Sequence, residues 1–393
     1  MPAFSGQLRS NEIFSALYNM IISQEVFADN LGEHQTLVDK ARVDGGLFGD
    51  TKLYYSTDVL KSVAWGNDAE ATNLLALHRP AAPECQAIVL DVFRQICLTV
   101  DNYLSKRAWA DEGAFSSFNS VMLGWMRDTK RVYDGTLYNA FVGTATSSAA
   151  AQNVTVDLTS TASSASTQIE ADKLEAFAIA EKLANLMVEM GDYSRAFNDY
   201  GNLRSYAKDN IHIVWNSKYV NKIKKVDLPT IFHKEGLVDK FEEDIMPSRY
   251  FGTVITSTNV GDFSASTPTA GKPIDSDDDT YVPGVGNANG TIRSLVEKDV
   301  TVSATAYHVF PGDEIPAGAT IKASGNFEYG EVYIEQADVI CKVMVKLPPY
   351  MSAFEVGTSF FNAKSLTENH YLTFGHNTLE YLKNYPMITV KAI

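Results

Sequence analysis

The longest apolar pattern in the chain is "AIVLDVFRQICLTV" at residues 87–100. At period two, one face carries Ile88, Leu90, Val92, Ile96, Leu98 and Val100, and the other carries Val89, Phe93 and Cys97 beside Asp91, Gln95 and Thr99. This alternation predicts a strand. Fully extended it reaches roughly 46 Å, against about five or six residues for an ordinary strand. So long an apolar face needs an unusual cover.

Elsewhere the period is helical. In residues 9–29, Phe14, Leu17 and Ile21 are spaced three and four apart, and Ser10 is placed to cap the start. The longest helical pattern is 114–142, carried by Phe115, Phe118, Met122, Trp125, Tyr133, Leu137 and Phe141, with Gly124 and Gly135 as weak points. A second helix begins at Thr167, with Glu170 at capping-box spacing. Its expected apolar face is Ile169, Phe177, Ala180, Leu183, Ala184, Met187 and Met190, and Gly191 is its stop. Between the long strand and the first helix lies a polar, Gly-punctuated excursion with a strand-like "KLYYSTDVL" and no core of its own. Pro80 and Pro83 precede the return.

Residues 144–167 read as a β excursion among small polar residues, and "NIHIVWNSKYVNKIKKVDLPTIF" as a strand, a turn at Asn216 and Ser217 and a basic helix. From 257 to 335 the composition shifts to Gly, Ser, Thr, Asp and Pro, with strand patterns in "KDVTVSATAYHVF", "GATIKASG" and "GEVYIEQ". In "DVICKVMVKL" the apolar residues Val339, Cys341, Val343 and Val345 alternate with more polar positions, and the last residues are again strand-like.

Composition narrows the functional classes. The 393 residues exceed one ordinary core, and 45% apolar content is ample to fill two or three lobes. With 48 acidic against 33 basic residues the formal charge is −15, which disfavours tight binding to nucleic acid or an anionic membrane. Nothing resembles a signal peptide or a spanning helix, so maturation in a cytoplasm is expected and the Asn153 and Asn289 sequons are discounted. Cys85, Cys97 and Cys341 are expected to be buried free thiols.

Candidate chemistry is sparse. There is no G-x-x-x-x-G-K-[ST] loop, no strand-bounded G-x-G-x-x-G and no G-x-S-x-G elbow. "VPGVGNANG" reads as turns, and Lys218, Lys222, Lys224 and Lys225 as a solvated helix face. His370 and His376 miss the spacing of a helical zinc pair, and His212 reads as a satisfied strand residue. In "PIDSDDDTY", Asp275, Asp277 and Asp279 imitate the start of a calcium loop. Thr280 stands where glycine is needed and Gly286 where a bidentate glutamate is needed, which favours a solvated acidic loop tip. No catalytic residue and no cofactor is expected.

The order of elements resembles the major capsid proteins of tailed bacteriophages, the Hong Kong 97 fold, and within them the small podophage capsid proteins. "ECQAIVLDVFRQICLTVDNYLSKRAWADEGAFSSFNS" stands where such proteins run from an extended loop into a spine helix. "YGNLRSYAKDNIHIVWNSKYVNKIKKVDLPTIF" is similar to their entry into the axial domain. The likeness covers residues 36–256 and 336–393.

It implies an α+β fold with an N-terminal arm (1–35), an extended loop (36–86) and a peripheral domain with its spine helix (87–165). An axial domain (166–256), a β-rich insertion (257–335) and a return to the axial and peripheral domains (336–393) complete it. It further implies self-assembly into hexamers and pentamers of an icosahedral or prolate head, with a neighbouring subunit covering the long apolar strand. The expected partners are a scaffolding protein, a portal, decoration proteins and non-specifically held DNA. The rival expectations are an encapsulin-like compartment and a secreted surface or glycan-binding β protein.

Overall fold

A computed structural model describes residues 37–46, 49–62, 77, 79–101, 112–163, 165–220, 242–265, 274–275, 291–336 and 338–393. The expected helix at 9–29 lies outside the described residues. The class is α+β, as expected. A short helix α1 (Leu37–Ala41) leads to β1 (Arg42–Asp44) and β2 (Thr51–Ser56), and then β3 (Glu84–Asp101) precedes the long helix α2 (Glu112–Thr144). β4 (Asn153–Val156), α3 (Thr159–Ser163) and α4 (Gln168–Gly191) follow, with β5 (His212–Asn216), β6 (Glu242–Met246) and β7 (Gly252–Val254). A one-turn α5 (Val260–Phe263) and the two-residue strands β8 (Ser264–Ala265) and β9 (Ile274–Asp275) come next. β10 (Ile292–Ser294), β11 (Lys298–Val302), β12 (Thr305–Val309) and β13 (Val332–Glu335) lead to β14 (Val339–Met344), β15 (Tyr350–Asn362), β16 (Thr367–Asn377) and β17 (Met387–Ala392).

The residues form two compact units. One comprises the described residues up to Asp50, Val89–Tyr138 and Tyr350–Thr378; the other comprises Thr51–Ile88, Asn139–Pro349 and Leu379–Ile393.

In the first unit the strands lie in the order β1, β15, β16, β3, with β1 parallel to β15 and the other pairs antiparallel. The expected alternation of β3 is present. Ile88, Leu90 and Val100 are buried, while Val89, Asp91, Gln95, Cys97 and Thr99 on the other face are exposed. Part of the cover is the chain's own: Leu90 is wholly buried against the segment at Gly45. On the adjacent strand, Phe374 and His376 both meet the ring of Tyr133 from α2, which stands edge-on to Phe374 at 5.7 Å. Val92, Ile96 and Leu98 of the same face are half-buried within the single chain. Phe93, opposite Gly375, lays its ring over the glycine, where a Cβ would collide with it.

In the second unit a mixed sheet runs β4-β17-β14-β5-β6, with parallel pairs at both edges and antiparallel pairs between. α4 closes one face. Its start is as expected: the Thr167 hydroxyl accepts from the Glu170 amide, and the Glu170 carboxylate accepts from the Ser166 amide and hydroxyl. The apolar face is shifted. Ala176, Ile179, Leu183, Leu186, Met187 and Met190 pack on the sheet, whereas Ile169 and Phe177 are 72% and 48% exposed.

The alternation expected in β14 is absent, since all six residues are buried, Lys342 included. A strand covered on both faces loses the period-two signal. A second apolar cluster, around Ile292, Val300, Phe327 and Val332, forms the core of a β-rich lobe with sheets β10-β13-β7 and β11-β12. "GATIKASG" is no strand there; only a bridge between Ile321 and Phe327 forms, both residues buried in that core. The region expected as a β excursion holds just the four residues of β4, which are followed by the helix α3.

Candidate assembly surface and its frame

The frame begins with a buried charge on α2. Asp134, 1% exposed, accepts from Lys130 Nζ at 2.8 Å, Arg42 Nη2 at 3.4 Å and the Tyr350 hydroxyl at 2.6 Å. Lys130 sits one helical turn earlier, so the pair is built by helix periodicity, while Arg42 and Tyr350 come from β1 and β15. One carboxylate thus ties three elements together. Beside it His376 stacks on Tyr350 with centroids 5.5 Å apart. Its Nδ1 donates to the Asn377 carbonyl at 2.8 Å, which leaves Nε2 to accept from the Tyr133 hydroxyl at 2.8 Å. Burial holds the His376 imidazole below its ordinary pKa, which favours the neutral ring.

The second unit has corresponding ties. Lys342 Nζ donates to the Ala145 carbonyl at 2.7 Å, just past the end of α2, and to the Thr389 hydroxyl at 2.9 Å. Burial, helped by the charge of Lys391, lowers its pKa to about 7. Asp199 accepts from Ser147 at 2.5 Å, Gln152 at 3.0 Å and Tyr381 at 2.5 Å. The polar excursion is anchored too. The Ser56 hydroxyl donates to Asn384 and accepts from Asn202, and Asp58 accepts from the Leu203 amide and from Arg195. Those last bonds, the Leu203 amide foremost, lower the Asp58 pKa to about 2.

On this frame stands an open edge. β1 pairs with β15 only through Tyr350, Met351 and Ser352, and beyond Ser352 no described strand lies on the outer side of β15. From Glu355 to Phe361 both alternating faces are exposed, including Val356 at 38%, Phe360 at 62% and Phe361 at 51%. An uncovered strand edge with aromatic side chains is a template for pairing with another chain. The other unit exposes Leu53 and Tyr55 on β2 and Ile169, Phe177 and Val188 on α4.

The same architecture occurs in a solved shell. The capsid structure of Staphylococcus phage Andhra contains a chain that superposes with a TM-score of 0.55 over 91% of this chain and 84% of its own, at 12% identity. This chain has a phage-capsid fold. A chain in the structure of head fiber and inner core protein gp22 of native bacteriophage P68 agrees with it, at a TM-score of 0.52 and 11% identity, covering 88% of this chain and 83% of that one. No protein-family model and no curated protein sequence matches.

Placed on the capsid fold, the sequence candidates separate. Asp275 is in the two-residue strand β9, while Asp277 and Asp279 lie outside the described residues, as do "VPGVGNANG", Lys222, Lys224 and Lys225. Cys341 is buried as expected. Cys85 and Cys97 are exposed, because odd positions of β3 face outward. His212 is buried in β5, but its Nε2 has no hydrogen-bond partner, so it is not the satisfied residue expected. Among the described residues no helix is long and apolar enough to cross a membrane. Sequence reading missed the Asp134 network, whose members are far apart in the chain. It also missed the open edge of β15, which shows only as adjacent aromatics at Phe360 and Phe361.

Proposed function

We propose that this protein is the major capsid protein of a tailed phage, assembling through hexamers and pentamers into the head that encloses the genome. The observation that carries this reading is the shared fold with the Andhra capsid structure over nine-tenths of the chain. In the Hong Kong 97 arrangement, residues 36–86 are the extended loop, α2 the spine helix and 166–256 the axial domain. The edge of β15 and the apolar residues on β2 and α4 then meet neighbouring subunits. A stable contact buries about 1,600 Å² in total, and a closed lattice repeats it around every subunit, so individually weak contacts sum to a durable shell.

The role is structural rather than catalytic, and the protein resides in the virion after assembly in the host cytoplasm. A scaffolding protein, a portal and decoration proteins are its partners. DNA inside is held without sequence recognition, in keeping with the acidic charge. Negative-stain electron microscopy of the protein expressed alone, and then with a scaffold, is the test. Closed shells or hexameric rings support the reading; a monomer under both conditions overturns it.

A further inference from the structure

We infer that His212, Glu242 and Asp244 form a binding site for a divalent transition-metal ion that bridges β5 and β6.

The register of the two parallel strands sets Glu242 opposite His212 and Asp244 opposite Val214. Because residues two apart share a face of a sheet, all three side chains stand on one side of it. One ligand atom from each residue lies within 4.8 Å of the other two. His212 is the buried member at 5% exposure, and Asp244 and Glu242 open progressively to solvent, which gives an ion an entry path.

The decisive detail is at Nε2 of His212. Asp244 Oδ2 is only 2.9 Å away, yet this buried nitrogen makes no hydrogen bond, so the oxygen stands to one side of the direction in which the ring nitrogen donates or accepts. Two atoms that bind one ion take this arrangement. Ligand bonds of about 2.0–2.1 Å place the donors some 2.9–3.4 Å apart, each aimed at the metal rather than at the other. The distance from His212 Nδ1 to Glu242 Oε2, 3.3 Å, gives the carboxylate a place either on the ion or orienting the ring from behind.

The donor set selects the ion. One imidazole and two carboxylates suit zinc and its first-row neighbours, whereas calcium and magnesium prefer oxygen alone. Two or three protein ligands leave positions for water, and the bound ion pins the edge strand β6 to the sheet.

The test uses the full chain, stripped with chelator and titrated with zinc alone by calorimetry, with metal content measured after dialysis and amide exchange followed in β6. About one zinc per chain is expected. Asp244→Asn, at a partly exposed position where folding should be preserved, and His212→Gln should each weaken binding at least tenfold. Zinc should slow exchange in β6 of the parent only, and cobalt in its place should give a visible absorption band. Zinc uptake that neither substitution changes, or no stoichiometric uptake, overturns the site. None of these readouts depends on shell formation.

Discussion

Tyr350 donates its phenolic hydrogen to Asp134 across 2.6 Å, and each residue is 1% exposed. The pair joins the first residue of β15 to the long helix at a point that water does not reach. The carboxylate is fully used there, by Lys130 and Arg42 as well as by the phenol.

Removing the acid therefore costs more than one hydrogen bond. Asp134→Ala leaves the buried Lys130 ammonium without its close carboxylate, and a loss of about 3–5 kcal/mol is expected in urea denaturation. Tyr350→Phe, which removes only a donor to a charged acceptor, should cost about 1.5–3 kcal/mol. The double variant should cost less than the sum, because both substitutions break the same bond.

Two glycines of α2 should respond to alanine with opposite signs. At Gly124 an added Cβ meets nothing within 4 Å, so Gly124→Ala should gain up to about 1 kcal/mol from helix propensity. At Gly143 it would run into the carbonyl of Tyr250, and Gly143→Ala should lose about 1–3 kcal/mol. Thermal melts of the two variants beside the parent decide this.

Lys342 sets a pH dependence. Its pKa falls from 10.5 to about 7 on folding. Between those values the unfolded chain holds the extra proton, so stability should climb as pH rises from about 7 toward 10, by up to about 1.4 kcal/mol per pH unit from this group. Below about 7 both states are protonated and its contribution is flat. In urea midpoints at pH 7, 8 and 9, Lys342→Met should lack this part of the slope. An unchanged slope would mean that Lys342 keeps its proton throughout.

The thiols should divide two to one. Cys85 and Cys97 are exposed on β3 and should react with a disulfide reagent in the native isolated chain. Cys341 is buried, and burial pushes its thiol pKa up, so it should react only after unfolding. A third fast thiol in the native protein would contradict the packing around β14.

What the sequence disclosed follows from the range of each interaction. The cap of α4 involves Thr167 and Glu170 in one turn, and the alternation of β3 involves next neighbours but one, so both were legible. Ile169 and Phe177 look like core residues by period alone, but the sheet under α4 reaches only the stripe from Ala176 to Met190. Lys342 misleads in the other direction. A lysine in an alternating strand reads as exposed, yet here its ammonium is taken by two oxygens of the same chain. The Asp134 site draws on β1, α2 and β15, and nothing at any one of those places hints at the other two. His212 carried only a weak signal, an imidazole in an apolar strand. Its two carboxylates arrive with β6 and become neighbours through parallel pairing.

The position of β17 bears on how the chain is made. It is the last described strand, yet it sits inside its sheet, parallel to β4 on one side and antiparallel to β14 on the other. During synthesis β4 and β14 emerge from the ribosome with a slot between them that nothing yet fills. The second unit can close only after Met387–Ala392 has been translated, so prematurely terminated chains keep two unpaired edges and are marked for aggregation or degradation. The strand made last is thus the one that joins β4 to β14, and the sheet's continuity waits on it.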